Sequence, residues 1–134
     1  RELQHHVEIL GYTNHIPELM VRASVLVTKP GALTCTEAAT VQVPIVLYSP
    51  IPGQEEANAT YMQSKGCARW VKTKDDLAAV VSELLGSPEL QHMSAASLAC
   101  HRNGAQIIGR RVLQLLQGPC EPELDVTTEE YSKA

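Results

Sequence analysis

Short apolar runs, separated by longer amphipathic stretches, repeat along most of this chain. Four of the runs are rich in β-branched, apolar or aromatic residues and are bounded by turn residues, so each predicts a strand. The predicted strands are Val7–Tyr12, Val25–Thr28, Pro44–Tyr48 and Arg69–Val71. Val25–Thr28 is almost continuously apolar, which is typical of a strand buried in a parallel sheet.

The stretches between and after these runs have helical composition and carry capping residues. Pro17 and Pro88 suit the first turn of a helix, Thr73 and Ser87 suit the N-cap, and Gly66 suits a C-cap. The predicted helices run from Ile16 to about Ala23, from Ala32 to about Gln42, from Gln54 to Lys65, from Thr73 to Gly86, from Ser87 to an interruption at Asn103-Gly104, and from Gln106 to Leu116.

Strand and helix alternate along the chain, which predicts right-handed crossovers between parallel strands. The expected fold class is therefore α/β, with helices on both faces of a parallel sheet. Ligands of such sheets bind at the carboxyl ends of the strands. Three polar segments follow predicted strands there: Tyr12–Asn14, Lys29–Thr34 and Ser49–Glu56.

Composition, net charge and cysteine spacing argue against several classes of function. The chain has 134 residues, 44% hydrophobic and 19% charged, which suffices for one domain or a piece of one. Eleven Lys and Arg against 15 Asp and Glu give a net charge of −4, which argues against a nucleic-acid partner. No apolar run approaches the about 20 residues of a membrane-spanning helix. The four cysteines and five histidines lack metal-site spacing, so free thiols in a reducing compartment are expected.

The turn at Lys29–Thr34 is the first candidate for chemistry. It joins a predicted strand to the amino end of a helix, where the N–H groups of the first turn lack helical acceptors and suit a phosphate. Gly31 and Ala32 add little bulk, so a ligand could approach the backbone closely. The alternative is an ordinary turn with nothing bound.

Glu37 is the second candidate. Thr34-x-x-Glu37 fits a capping box, in which the Glu37 carboxylate accepts from the Thr34 N–H. The functional alternative is that this carboxylate accepts hydrogen bonds from both hydroxyls of a ribose. A position one turn into a phosphate-binding helix suits the ribose of a nucleoside diphosphate.

The polar turn after Pro52-Gly53 is the third candidate. Gln54 and Asn58 lie four residues apart and share a helix face, with Glu55 beside them. Amide and carboxylate groups at a strand end suit the hydroxyls of a sugar. The alternative is an acidic first turn that is favoured only by the helix dipole.

Together these segments resemble the C-terminal half of GT-B glycosyltransferases of family 28. The resemblance rests on Val27–Ala38, Pro44–Tyr48 and Pro50–Ala59, with Gly11-Tyr12 and Ile16–Met20 upstream, and covers about residues 7–116. The nearest branch is similar to processive diacylglycerol glucosyltransferases and monogalactosyldiacylglycerol synthases. The motifs K-P-G-x-x-T-x-x-E-A and P-x-P-G-Q-E-x-x-N at this spacing are specific.

The resemblance implies a Rossmann-like, doubly wound parallel sheet that binds a nucleotide sugar. Residues 1–117 would form this donor-binding domain, without its first strand and helix because Arg1–Gln4 resembles the end of a helix, and 118–134 a polar tail. The family transfers a hexose from a UDP-sugar. We therefore expect glucose or galactose to move from UDP-glucose or UDP-galactose to diacylglycerol, with no metal and no other cofactor.

The same resemblance assigns roles to single residues. In the family's pattern the backbone around Thr13, with Ile16 nearby, contacts uracil, and Glu37 binds ribose. Gln54 and Glu55 correspond to the pair that reads the sugar hydroxyls, and Asn58 to a supporting amide. The residues that correspond to the diphosphate cradle are Gly31, Ala32, Leu33 and Thr34.

The family's catalytic base, acceptor site and membrane contacts belong to the N-terminal half, so the catalytic residue is unknown and this chain alone is expected to be inactive. The full-length protein is expected in the cytoplasm, peripheral on the inner face of the cell membrane.

Three alternatives remain. One is an N-acetylglucosaminyltransferase that uses a UDP-sugar and a polyprenol-linked acceptor, although Gln54-Glu55 replaces the glutamine pair typical of that branch. Another is a non-catalytic nucleotide-sugar-binding subunit that needs a partner chain. The third is a nucleotide-sugar epimerase on the same fold.

Overall fold

Helices and strands alternate in the computed structural model, which describes residues 7–100 and 103–117. The chain divides into two compact units between residues 101 and 102. The predicted domain bounds stay a prediction, and residues 118–134 lie outside the described residues. In chain order the elements are α1 (Ile16–Arg22), β1 (Leu26–Thr28), α2 (Ala32–Thr40), β2 (Ile45–Tyr48), α3 (Gln54–Ser64), β3 (Ala68–Val71), α4 (Lys74–Leu85), α5 (Glu89–Cys100) and α6 (Gly104–Leu116).

The three strands form one parallel sheet in the order β1-β2-β3. In the register, Ile45 of β2 is the partner of Leu26 on one side and of Ala68 on the other. The predicted α/β alternation is confirmed. β1 is an edge strand within the described sheet, and Val27 is 44% exposed. The predicted strand is found at Leu26–Thr28, but its predicted burial is wrong at Val27, since an apolar run alone does not distinguish an edge strand from a buried one.

The predicted strand at Val7–Tyr12 is absent from the described sheet. This segment is irregular and exposed, with Ile9 92% exposed and Tyr12 97% exposed. A strand is stabilised by hydrogen bonds to a neighbouring strand and by side-chain packing against it. Val7–Tyr12 has neither in the described sheet, so its β-propensity alone does not make it a strand. The following helix, α1, begins at Ile16 with Pro17 in its first turn, as predicted.

Both faces of the sheet are covered because the side chains of β2 alternate. Ile45 and Leu47 pack on one face with residues of α2 and α3, and Val46 packs on the other with Leu84 of α4. Ile45, Val46 and Leu47 are all fully buried. With helices on both faces, the fold is a doubly wound, Rossmann-like sheet.

Capping residues explain where several helices begin and end. Gly66 follows α3 with a φ of +76°, a left-handed conformation that favours glycine, as its predicted C-cap role requires. The Ser87 hydroxyl accepts from Glu89 N at 3.2 Å as α5 begins. α6, described by itself, begins two residues before the predicted Gln106 because the Asn103 side chain accepts from Gln106 N. Among the residues that the structure describes, no helix is long and apolar enough to cross a membrane.

Candidate functional site

The loops that follow β1 and β2 meet at the carboxyl end of the sheet. The side-chain amide of Asn58, on α3, donates to the carbonyl of Pro30 at 3.0 Å. The Lys29 amine lies 3.5 Å from the Glu55 carboxylate. The first and third candidate segments, which are far apart in sequence, are therefore joined by two side-chain contacts.

The turn into α2 leaves three backbone donors free. Gly31 is the N-cap, and its carbonyl accepts the first helical hydrogen bond, from Cys35 N at 2.9 Å. Among the described residues, the N–H groups of Ala32, Leu33 and Thr34 have no acceptor. The helix dipole adds partial positive charge at the same point, so this turn can bind an anion such as phosphate.

Open space lies beside Gly31. A Cβ atom built on Gly31 would meet no heavy atom within 4 Å, and the φ of Gly31 is −67°, which any residue adopts. Gly31 is therefore not required by backbone strain. Because Gly31 has no side chain, there is room beside the free N–H groups, as binding of a phosphate requires.

The predicted capping box between Thr34 and Glu37 is wrong. α2 begins at Ala32 with Gly31 as its N-cap, so Thr34 already lies inside the first turn. The reason is that the helix starts directly after the Lys29–Gly31 turn, three residues earlier than a Thr34 cap requires. Glu37 is exposed, and its side chain has no hydrogen bond or ion pair within residues 7–100 and 103–117. Its carboxylate is available to a ligand.

Two neighbouring carboxylates at the amino end of α3 make different hydrogen bonds. Glu56 accepts from Gly53 N at 3.1 Å and caps the helix. Glu55 accepts from Ile51 N at 2.6 Å through Oε2, the same oxygen that faces Lys29. Gly53 has a φ of +94°, a conformation that only glycine adopts easily, so it makes this tight turn possible.

Glu56 therefore acts as a helix-capping carboxylate of the acidic first turn. Glu55 instead accepts a hydrogen bond from the loop between β2 and α3. Both described contacts of Glu55 use Oε2, which leaves Oε1 for a ligand. Gln54, the first residue of α3, is exposed.

Thr13 and Ile16 stand before and at the start of α1. The Thr13 hydroxyl accepts from His15 N at 3.1 Å, which fixes the turn into this helix. Ile16 is 45% exposed. Within the described part of the chain, no hydrogen bond or ion pair joins either residue to the turn at Gly31.

A cavity of about 180 Å³ lies between α2 and α3, and Ala32 and Asn58 are among its lining residues. A larger cavity, of about 600 Å³, lies near Val43 and Pro44 at the amino end of β2. None of the candidate residues lines that larger cavity. We place the candidate site at the smaller one because it is lined by Ala32, from the free turn of α2, and by Asn58, which contacts that turn.

The family profile described as "Glycosyltransferase family 28 C-terminal domain" matches residues 1–108 of this chain. The chain belongs to this family. The predicted resemblance is thus confirmed, and the folded core of the first unit lies within the match.

Curated relatives of this family 28 domain carry the name "Processive diacylglycerol beta-glucosyltransferase". The protein of Bacillus mycoides (strain KBAB4) is 42% identical over 79 residues, which cover 59% of this chain and 20% of the relative. That of Bacillus subtilis (strain 168) is 37% identical over 86 residues, 64% of this chain and 22% of the relative. The chain thus matches about a fifth of the length of these relatives.

A solved structure supports the fold. The family 28 domain is similar to the chain titled "Crystal structure of acinetobacter baumannii MurG" with a TM-score of 0.67 and 24% identity. The match covers 82% of this chain and 33% of that chain. At this identity the likeness shows the architecture, which is that of a GT-B C-terminal domain.

Sequence reasoning missed one site residue, Lys29. The residue was part of the quoted motif, but no role was given to it. In the family 28 domain its side chain is half exposed, and its amine is paired with Glu55. The available signal was a cation directly after a strand in an acidic chain.

Proposed function

We propose that this chain is the donor-binding domain of a hexosyltransferase that moves glucose or galactose from a UDP-sugar to diacylglycerol. The observation that carries the proposal is the free turn of α2 at Ala32–Thr34, which follows Lys29 and Pro30 in the chain. We call the donor site the set Thr13, Ile16, Lys29, Gly31–Thr34, Glu37, Gln54, Glu55 and Asn58.

The diphosphate of the donor would bind the three free N–H groups of the α2 turn. Backbone donors at a helix amino end hold an anion at fixed positions, and the helix dipole adds favourable electrostatics. Lys29, three residues before Ala32, would supply a full positive charge, and its amine contacts Glu55 at 3.5 Å. This arrangement provides the charge stabilisation for which other transferases use a metal, so we propose that no metal takes part.

The nucleoside would extend along α2 toward Glu37. The Glu37 carboxylate is exposed and unpaired within the described residues, so it can accept hydrogen bonds from both ribose hydroxyls. Uracil would then contact the backbone at Thr13 and the apolar side chain of Ile16. This last assignment rests on the family pattern alone.

The hexose would face the amino end of α3. Gln54 is exposed there, and Glu55 has its Oε1 uncommitted among the described contacts. Asn58 reaches the carbonyl of Pro30, so its role is to hold this end of α3 against the diphosphate turn. The sugar-reading residues are thereby kept at a fixed distance from the phosphate-binding residues.

The reaction would be a direct, inverting displacement. The acceptor hydroxyl attacks the anomeric carbon, the bond to the diphosphate oxygen breaks, and UDP leaves with its new charge on the α2 turn. A base must take the hydroxyl proton, and we propose that it comes from a part of the full-length protein outside this chain. The same part would bind diacylglycerol and contact the inner face of the membrane.

Calorimetric titration of the full-length protein with UDP, UDP-glucose, UDP-galactose and UDP-N-acetylglucosamine tests the proposal. We expect UDP to bind and either UDP-glucose or UDP-galactose to bind and turn over with diacylglycerol vesicles. Preference for UDP-N-acetylglucosamine with a polyprenol-linked acceptor would favour that transferase instead. Binding of a UDP-sugar without transfer to any acceptor would favour the non-catalytic subunit.

A further inference from the structure

Two cysteines of the first unit lie next to each other on the side of the sheet that α2 and α3 cover. Cys67, just before β3, is fully buried, and Cys100, the last residue of α5, is partly exposed. Their sulfur atoms lie 3.0 Å apart. A disulfide bond holds two sulfurs at about 2.05 Å, so closure needs a movement of only roughly 1 Å.

The hydrogen bonds around the pair show which thiol is the less reactive one. Cys67 Sγ donates to the carbonyl of Met62 at 3.2 Å, and either sulfur can be the donor in the contact between Cys67 and Cys100. Burial raises the pKa of the Cys67 thiol to about 12, and the hydrogen bond with Cys100 adds to this. Cys67 therefore stays protonated and is a poor first nucleophile.

Cys100 is the thiol that an external reagent can reach. It lines the cavity between α2 and α3, together with Cys35 and Thr36. Cys35 is buried, and burial, with the charge of Glu55, raises its pKa to about 11. Of the three described thiols, Cys100 is thus the point of entry.

We propose that Cys67 and Cys100 are a thiol modification site, closed to a disulfide by a low-molecular-weight disulfide. The Cys100 sulfur attacks one sulfur of the reagent, which forms a mixed disulfide and releases the first small thiol with the Cys100 proton. Cys67 then attacks the Cys100 sulfur, gives up its proton and releases the second small thiol. Two protein thiols are oxidised, and one external disulfide is reduced to two thiols.

The cross-link would tie the end of α5 to the start of β3. The two residues are 33 positions apart, so the closed loop contains β3, α4 and most of α5. A cross-link of this length stabilises the fold chiefly by restricting the unfolded chain. The inference does not depend on the donor-binding proposal, because its readouts are thiol content, linkage and thermal stability.

The test incubates the full-length protein with oxidised glutathione, in a Cys120→Ser background that removes the cysteine outside the described residues. We expect peptide mapping to find the Cys67–Cys100 linkage, without retained glutathione, and Tm to rise by roughly 10 °C. A reductant should reverse both changes. The Cys35→Ser variant should cross-link as readily as the parent, and it serves as the matched control.

Cys100→Ser is the decisive variant, because Cys100 is partly exposed and its replacement is tolerable, whereas Cys67→Ser alters a fully buried position. This variant should form no linkage at Cys67 and show no rise in Tm. The proposal is wrong if, after treatment and denaturation of the protein, alkylation still labels both Cys67 and Cys100. It is also wrong if glutathione stays on Cys100, or if the linkage forms through Cys35.

Discussion

The side-chain amide of Asn58 and the backbone carbonyl of Pro30 form a hydrogen bond of 3.0 Å that joins α3 to the turn before α2. Asn58 is half-buried, and Pro30 is fully buried. This contact joins the two helix amino ends on which the proposed donor site is built. The position of the site is therefore set by a side chain that needs no contact with the ligand.

Replacing Asn58 should cost stability. In the Asn58→Ala variant the Pro30 carbonyl loses its partner, and we expect the free energy of unfolding to fall by about 0.5–1.5 kcal/mol. Urea unfolding of the full-length protein measures the change. Thr60→Ala, which removes an exposed hydrogen bond to the carbonyl of Glu56 one turn away, is the control and should change it less. Equal losses in the two variants would show that the link to Pro30 has no special weight.

Glu37→Ala should weaken UDP binding without loss of stability. We expect a cost of about 1.5–3 kcal/mol in binding, the scale for a hydrogen bond to a charged group. Stability should hold because the Glu37 side chain has no hydrogen bond or ion pair among the described residues and alanine favours helix. Calorimetry and thermal unfolding measure the two effects. Asp75→Ala removes an exposed carboxylate from α4 and should leave UDP binding unchanged. Normal UDP affinity in Glu37→Ala would exclude the ribose role.

Gln54→Ala should separate the sugar from the nucleotide. Because the hexose is proposed to face α3, affinity for UDP should stay near that of the parent, while affinity for the UDP-sugar or its turnover falls. Glu55→Ala should show the same pattern together with some loss of stability, since Glu55 also accepts from Ile51 N. If the affinities for UDP and for the UDP-sugar fall equally in Gln54→Ala, the hexose does not face the amino end of α3.

Lys29→Gln should weaken UDP binding and reduce its dependence on salt. The variant keeps much of the side-chain length but removes the charge next to the α2 turn, so we expect a loss of about 1.5–3 kcal/mol at low salt. Titrations at two ionic strengths measure it. Lys74→Gln, at the start of α4, is the matched control and should bind as the parent does. A salt dependence that is unchanged in Lys29→Gln would show that Lys29 does not face the diphosphate.

The local part of this structure could be predicted from sequence. α1 begins at Ile16 and α3 at Gln54, as predicted, because prolines, glycines and polar first turns mark those points chemically. The Val7–Tyr12 prediction failed because a strand depends on a neighbour that the sequence of the segment itself does not specify. The Thr34 cap failed for a similar reason, since Gly31 offers an earlier start to the same helix.

The site could be predicted in part. The free turn after β1 follows from a helix that begins at the end of a parallel strand, and the motifs marked it. The contacts of Asn58 with Pro30 and of Lys29 with Glu55 could not be predicted, because they join residues 28 and 26 positions apart across two loops. Only the packing of α2 and α3 on one face of the sheet brings these side chains together.

The central claim is that the α2 turn binds the diphosphate of the donor, and the backbone amide signals of that turn test it most directly. In an NMR titration of the isotope-labelled protein with UDP, the amide signals of Ala32, Leu33 and Thr34 should shift strongly, and an equal concentration of uridine should leave them nearly unmoved. UDP binding that shifts signals elsewhere but not these three would contradict the claim, as would equal shifts with uridine.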